Sequence, residues 1–208
     1  MTEGSVPGTC ALELVARVRE WQPGPGMTTR RLLRSRSLTV FVDGKETGRQ
    51  CVNLHPRYSP MGEHAEHVYS LALAVARASL RSSLVHADYA VWGLCLLFSF
   101  RSIRQYMHDD FQTLHCDGGV SVVVALDDRA GLWVREGETE SLASMRKCGD
   151  FLVFSCGTLH GGAEFTERDF PQGHWRLFCY AAPQGVACSG DGMVPPGLCS
   201  TLMQYTNT

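Results

Sequence analysis

The sequence predicts a β-rich α+β fold, on three observations. Short apolar segments recur along the second half, each closed by glycine or acidic residues: SVVVALDD (121–128), GLWVREGE (131–138), FLVFSCG (151–157) and HWRLFCYAAP (174–183). Segments of this length, rich in β-branched and aromatic residues and bounded by turn formers, read as strands. The chain also holds 21 glycines and 9 prolines in 208 residues, enough turn formers to close many short elements. Helical periodicity, by contrast, is confined to two segments in the N-terminal half.

In chain order, TCALELVARVREW (9–21) reads as a short amphipathic helix, with Thr9 as N-cap and Leu12, Val15 and Ala16 as its apolar stripe. PGPG (23–26) ends it. The basic run RRLLRSRS (30–37) leads into a strand at LTVFVDG (38–44). EHAEHVYSLALAVARASLRSSL (63–84) is the stronger helix, with Val68, Leu71, Ala72, Val75 and Ala78 at three- and four-residue steps. His64 and His67 share a face of it without a third ligand and read as surface histidines. YAVWGLCLLFSF (89–100) is a buried strand or a short buried helix, which periodicity does not separate. SVVVALDD and GLWVREGE follow each other as hairpin partners would. SLASMRKCGD (141–150) continues the strand-and-turn pattern, which suggests a β-sandwich or half of a barrel. The length suits one domain, 1–208, with helical and strand support over 1–100, a β core over 101–183 and a Gly/Pro/Ser-rich flexible tail over 184–208.

The balance of 44% hydrophobic and 19% charged residues is that of a globular protein. A net charge of −2 gives no global basic field to hold nucleic acid. The run 30–37 reads as a solvated segment leading into the strand, with a contact for an anionic partner as the alternative. No apolar run approaches the roughly 20 residues of a membrane-spanning helix, and the N-terminus shows no export signal. Nine cysteines, an odd number without any Cys-x-x-Cys spacing, read as reduced thiols of an intracellular protein, cytoplasmic or nuclear.

The chemistry-bearing pattern is His-x-Asp, which occurs three times: His86–Asp88, His108–Asp110 and His115–Asp117. Residues i and i+2 of an extended segment point the same way, so one strand end can offer an imidazole and a carboxylate to one metal. A facial iron site needs two imidazoles and one carboxylate, with open positions left for substrate and oxygen. His115 and Asp117 are preferred as the pair, because they end a short apolar stretch and precede Gly118-Gly119, which permit a tight turn. His160, in GDFLVFSCGTLHGG (149–162), is the third ligand, following a buried strand and a turn. His86–Asp88 runs straight into an apolar stretch, and His108–Asp110 lies in a polar segment without glycine.

The series LHCDGG, GDFLVFSCGTLHGG and HWRLFCYAAP, over roughly residues 100–183, resembles the core of the Fe(II)/2-oxoglutarate-dependent dioxygenases, in particular their prolyl-4-hydroxylase-like and nucleic-acid-modifying branches. The resemblance implies a double-stranded β-helix (jelly roll) binding Fe(II) through His115, Asp117 and His160. It also implies a basic residue holding the distal carboxylate of 2-oxoglutarate. That residue is Arg176, at the start of an apolar strand; Arg168, in the polar loop TERDFPQG, is the rival. Arg176 lies farther from His160 than the family spacing, and the loop accounts for the excess. A guanidinium suits the task because its planar fork grips a carboxylate through two bonds. Tyr106 matches a tyrosine that touches the co-substrate in the prolyl-hydroxylase-like branch. The implied activity is oxygenation by O2 of an unactivated C–H bond, with ascorbate as a supporting reductant. A protein or peptide side chain is the expected substrate, a modified nucleic-acid base the alternative and a small molecule the third choice, with no membrane partner. A non-catalytic jelly-roll binding module is the competing class. A cupin-type metal enzyme is disfavoured because the chain has no His-x-His.

Overall fold

The computed structural model describes residues 1–6, 8–20, 38–42, 45–57, 59, 61–83, 88–99, 102–110, 117–165 and 174–186. PGPG, the basic run 30–37, His86, His115, Cys116, Arg168 and the tail beyond 186 lie outside them. The elements are β1 (Thr2–Ser5), α1 (Gly8–Glu20), β2 (Leu38–Val42), β3 (Lys45–Asn53) and a 3-10 turn (Gly62–His64) entering α2 (Ala65–Ser83). Then come β4 (Tyr89–Ser99), β5 (Val120–Ala125), β6 (Ala130–Glu136), β7 (Thr139–Met145), β8 (Asp150–Ser155), β9 (His160–Gly162) and β10 (His174–Pro183).

The strands form two sheets. The major one has the order β1-β8-β5-β10-β4-β3-β2 and the minor one β7-β6-β9. Isolated bridges Ser102↔Phe165 and His108↔His160 lay the segment 102–110 along the free side of β9 as a further, irregular lane of the minor sheet. From β4 onward the chain therefore visits the sheets in the order major, minor, major, minor, minor, major, minor, major. This interleaving is the jelly roll expected from the sequence.

The period of two in the strands sorts residues to the two faces of the major sheet. Val122, Val124, Phe151, Val153, Leu177, Cys179 and Ala181 join the layer that packs on the helices. Val123, Ala125, Leu152 and Phe154 turn the other way, against Ala130, Leu132, Val134, Ala143 and Met145 of the minor sheet. Each Val, Leu, Phe or Met among them contributes about 1.5–3 kcal/mol when fully buried. Both helices are present, and α2 buries Val68, Ala72 and Val75 as the spacing predicts. His64 and His67 are exposed. No described helix is long and apolar enough to cross a membrane.

Three expectations change. The stripe of α1 is Ala11, Leu14, Val15 and Val18, while Leu12 and Ala16 are exposed and Thr9 lies within the helix. Residues 89–99 are a strand, and one that sits between β10 and β3 in the major sheet. The expected hairpin of β5 with β6 does not form: β5 pairs with β10 and β8, and β6 with β7 and β9. The short connection, with Arg129 at φ +64°, carries the chain from one sheet to the other.

Candidate metal centre

The site is assembled where the lane 102–110 meets β9. His108 and His160 exchange both backbone bonds, N to O at 2.8 Å in each direction, and the Gln105 amide donates to the Gly162 carbonyl at 2.9 Å. The Asp110 amide donates to the Cys156 carbonyl at 2.8 Å, which brings the chain across towards the end of β8. This approach depends on Gly161, because a Cβ there would stand 2.6 Å from the Gln105 carbonyl oxygen.

Three side chains converge as a result. His108, Asp110 and His160 each offer a ligand atom within 4.8 Å of the others, and they are the one such group of three among the described residues. His160 Nε2 lies 3.5 Å from Asp110 Oδ2. Each imidazole is oriented by its own strand. His108 Nδ1 bonds the Tyr106 carbonyl and His160 Nδ1 the Thr158 carbonyl, both at 2.9 Å. A ring nitrogen facing a carbonyl must carry the proton, which leaves both Nε2 lone pairs for a metal. Burial lowers the His160 pKa, opposed in part by Asp110. The neutral ring is the form that ligates.

Asp110 is buried, and hydroxyls meet both its oxygens: Ser121 Oγ donates to Oδ2, and Tyr180 OH donates to Oδ1 at 3.4 Å. Two imidazole nitrogens and one carboxylate form the donor set that suits Fe(II) with positions left open.

Arg176 projects from β10 into the same inter-sheet space. It is 1% exposed. One terminal nitrogen donates to the Gly131 carbonyl at 3.4 Å and the other to Ser99 Oγ at 3.2 Å. The guanidinium sits 5.6 Å from the Phe165 ring centre. Its Nε has no partner, and no carboxylate pairs with it among the described residues. Burial lowers its pKa to about 10. A fully buried cation without an anion is expensive, and an arriving carboxylate relieves the cost.

The structure thus gathers His160 with His108 and Asp110. Asp117 is exposed on the turn before β5, where Gly118 has φ +74°. Asp88 is exposed too. Tyr106 is 67% exposed, and what it gives the site is its carbonyl oxygen. One signal in the sequence favours the middle copy of His-x-Asp. Nine residues separate Asp110 from β5, enough to cross between sheets, whereas Asp117 leaves only Gly118-Gly119.

No family model and no curated protein sequence matches the chain. Solved structures do match. The non-heme alpha-ketoglutarate-dependent carbocyclase SnoK from nogalamycin biosynthesis aligns at a TM-score of 0.62 and 15% identity, covering 95% of this chain and 85% of that one. The fold is that of the Fe(II)/2-oxoglutarate-dependent oxygenases. HygX from Streptomyces hygroscopicus, with nickel and 2-oxoglutarate bound, aligns at 0.55 and 15% identity over 88% of this chain and 83% of that one. A prolyl hydroxylase from Trichoplax adhaerens, in complex with a peptide fragment, aligns at 0.55 and 12% over 88% and 84%.

Proposed function

We propose that the protein is an Fe(II)- and 2-oxoglutarate-dependent oxygenase, with His108, Asp110 and His160 as metal ligands and Arg176 as the anchor of the distal carboxylate of 2-oxoglutarate. The observation that carries the reading is the buried, carboxylate-free Arg176 in the space that also holds the triad. The His108–Asp110 pair takes the place that the sequence assigns to His115–Asp117, because Asp110 is buried beside His160 and Asp117 is exposed.

Fe(II) bound here would supply the activation of oxygen coupled to decarboxylation of 2-oxoglutarate. The chain supplies the rest. Arg176 and the Ser99 hydroxyl beside it orient the dicarboxylate from one end. Phe154, whose ring centre lies 4.8 Å from that of His160, and Phe178 give the space apolar walls that exclude water. Tyr106 is exposed beside His108, at the rim. The reaction is oxygenation of a C–H bond. Solved structures of this fold include HygX with hygromycin B bound and the prolyl hydroxylase with a peptide. The proposed target is a peptide side chain.

The test is conversion of 2-oxoglutarate to succinate by purified protein with Fe(II), with peptide and small-molecule panels, beside Asp110→Ala. Succinate formed by the wild type and absent in the variant supports the oxygenase. Metal-dependent 2-oxoglutarate binding without turnover on any panel would instead favour the binding module.

A further inference from the structure

Asp110 is surrounded by more machinery than a metal-ligating carboxylate needs to stay folded. Two strands of the major sheet, and the turn after a third, send polar side chains to it or to its partner. Ser121 Oγ, from β5, donates to Oδ2, the oxygen that lies 3.5 Å from His160 Nε2. Cys156, just past β8, places its sulfur 3.7 Å from the same Ser121 Oγ. Tyr180, from β10, reaches Oδ1 at 3.4 Å, long for a hydroxyl donor. Ser121 is wholly buried, and Tyr180 and Cys156 are buried as well.

The backbone is shaped around this contact. Along β4 and β10 the pairing is regular up to Phe178↔Cys95 and resumes at Tyr180↔Trp92. Two residues of β4, Leu94 and Gly93, therefore face the single Cys179. This is a β-bulge, a device that re-aims a side chain. Gly93 carries it with φ +60°, a region costly for other residues. A Cβ on Gly93 would stand 3.1 Å from Cδ2 of the Tyr180 ring. The bulge thus makes the seat from which the phenol points at Asp110.

We propose that Ser121 and Tyr180 are positioning residues that fix the Asp110 carboxylate for metal binding, one hydroxyl per oxygen, and that the Gly93 bulge exists to seat Tyr180. A carboxylate has about four acceptor positions. Two are occupied by these hydroxyls, which stops the group from rotating and leaves lone pairs directed at the histidines. This inference rests on the reading of His108, Asp110 and His160 as metal ligands.

The experiment measures Mn(II) affinity and the visible spectrum of the Co(II)-loaded protein for wild type, Ser121→Ala, Ser121→Thr, Tyr180→Phe and Asp110→Ala. Melting temperatures of the metal-free proteins are recorded alongside. Ser121→Ala is expected to weaken Mn(II) binding about 10- to 100-fold, and Tyr180→Phe about 10-fold, the range for outer partners of metal ligands. Both should alter the Co(II) spectrum, and Ser121→Thr, which keeps the hydroxyl, should restore it. Wild-type affinity and spectrum in both Ser121→Ala and Tyr180→Phe, whatever their melting temperatures, overturn the inference while Asp110→Ala still loses the metal. If the wild type itself binds no Mn(II), the metal-centre reading fails and takes this inference with it.

Discussion

Replacing Arg176 by methionine should stabilise the ligand-free protein and abolish co-substrate binding at once. The guanidinium is 1% exposed, and burial brings its pKa from the usual 12.5 down to about 10. That lowering is equivalent to about 3 kcal/mol held against the charged form. Methionine fills similar volume without charge, and such replacements stabilise by about 1–4 kcal/mol. Against this, the Gly131 carbonyl and the Ser99 hydroxyl lose a donor, at about 1 kcal/mol each. Setting about 3 kcal/mol against about 2 leaves a gain of about 1 kcal/mol, or roughly 2–4 °C in a domain of this size. Binding moves the other way. Truncating one partner of a buried charge pair costs about 2–5 kcal/mol, so the Kd for 2-oxoglutarate should rise about 30- to 4000-fold. The assay is thermal unfolding of the Mn(II)-loaded protein with and without 2-oxoglutarate, with calorimetric titration of the same samples. The expected pattern crosses: a higher melting temperature without ligand, and no shift when ligand is added. A melting temperature lowered by several degrees, with 2-oxoglutarate affinity unchanged, would refute the reasoning and make Arg176 a structural cation.

The two downstream copies of His-x-Asp can be told apart directly, since Asp110→Ala should abolish Mn(II) binding and Asp117→Ala should leave it within twofold, as measured by titration. Gly161→Ala should lower stability by about 1–3 kcal/mol in denaturant unfolding and weaken metal binding too, because its Cβ would press on the Gln105 carbonyl at 2.6 Å. Stability should also fall in acid. Burial, with Arg176 beside it, holds the His174 pKa at about 3, against 6.5 in the unfolded chain. The unfolded state therefore takes up a proton between pH 6.5 and 3 that the folded state refuses. Stability is full above pH 6.5 and falls by about 2 kcal/mol at pH 5. His174→Phe should flatten that part of the pH profile, and an unchanged slope would remove His174 as its source.

Much of the fold was legible because local pattern and tertiary role agree. The stretch HWRLFCYAAP is β10 in its entirety, buried on both faces, and Arg176, the co-substrate anchor proposed above, is buried within it. The hairpin of β5 and β6 failed because alternation tells which residues face a core but not which sheet a strand joins. The preference for His115–Asp117 rests on the glycines that follow it, whereas the proposed centre depends on a glycine elsewhere. Gly118 serves the turn into β5, with φ +74°. Gly161 is the glycine that lets the two histidine-bearing lanes close. His108 and Asp110 looked unpromising in a polar segment, yet Asp110 is only 4% exposed because Ser121 and Tyr180, distant in sequence, satisfy it. That long-range pairing leaves no local trace.

The central claim is tested most directly by X-ray diffraction from crystals soaked in Mn(II) and 2-oxoglutarate, collected for the anomalous signal of the metal. One strong peak is expected within bonding distance of Nε2 of His108, Nε2 of His160 and a carboxylate oxygen of Asp110, with 2-oxoglutarate extending from it to the Arg176 guanidinium. A peak bound by His115 and Asp117, or a dicarboxylate held away from Arg176, would contradict it.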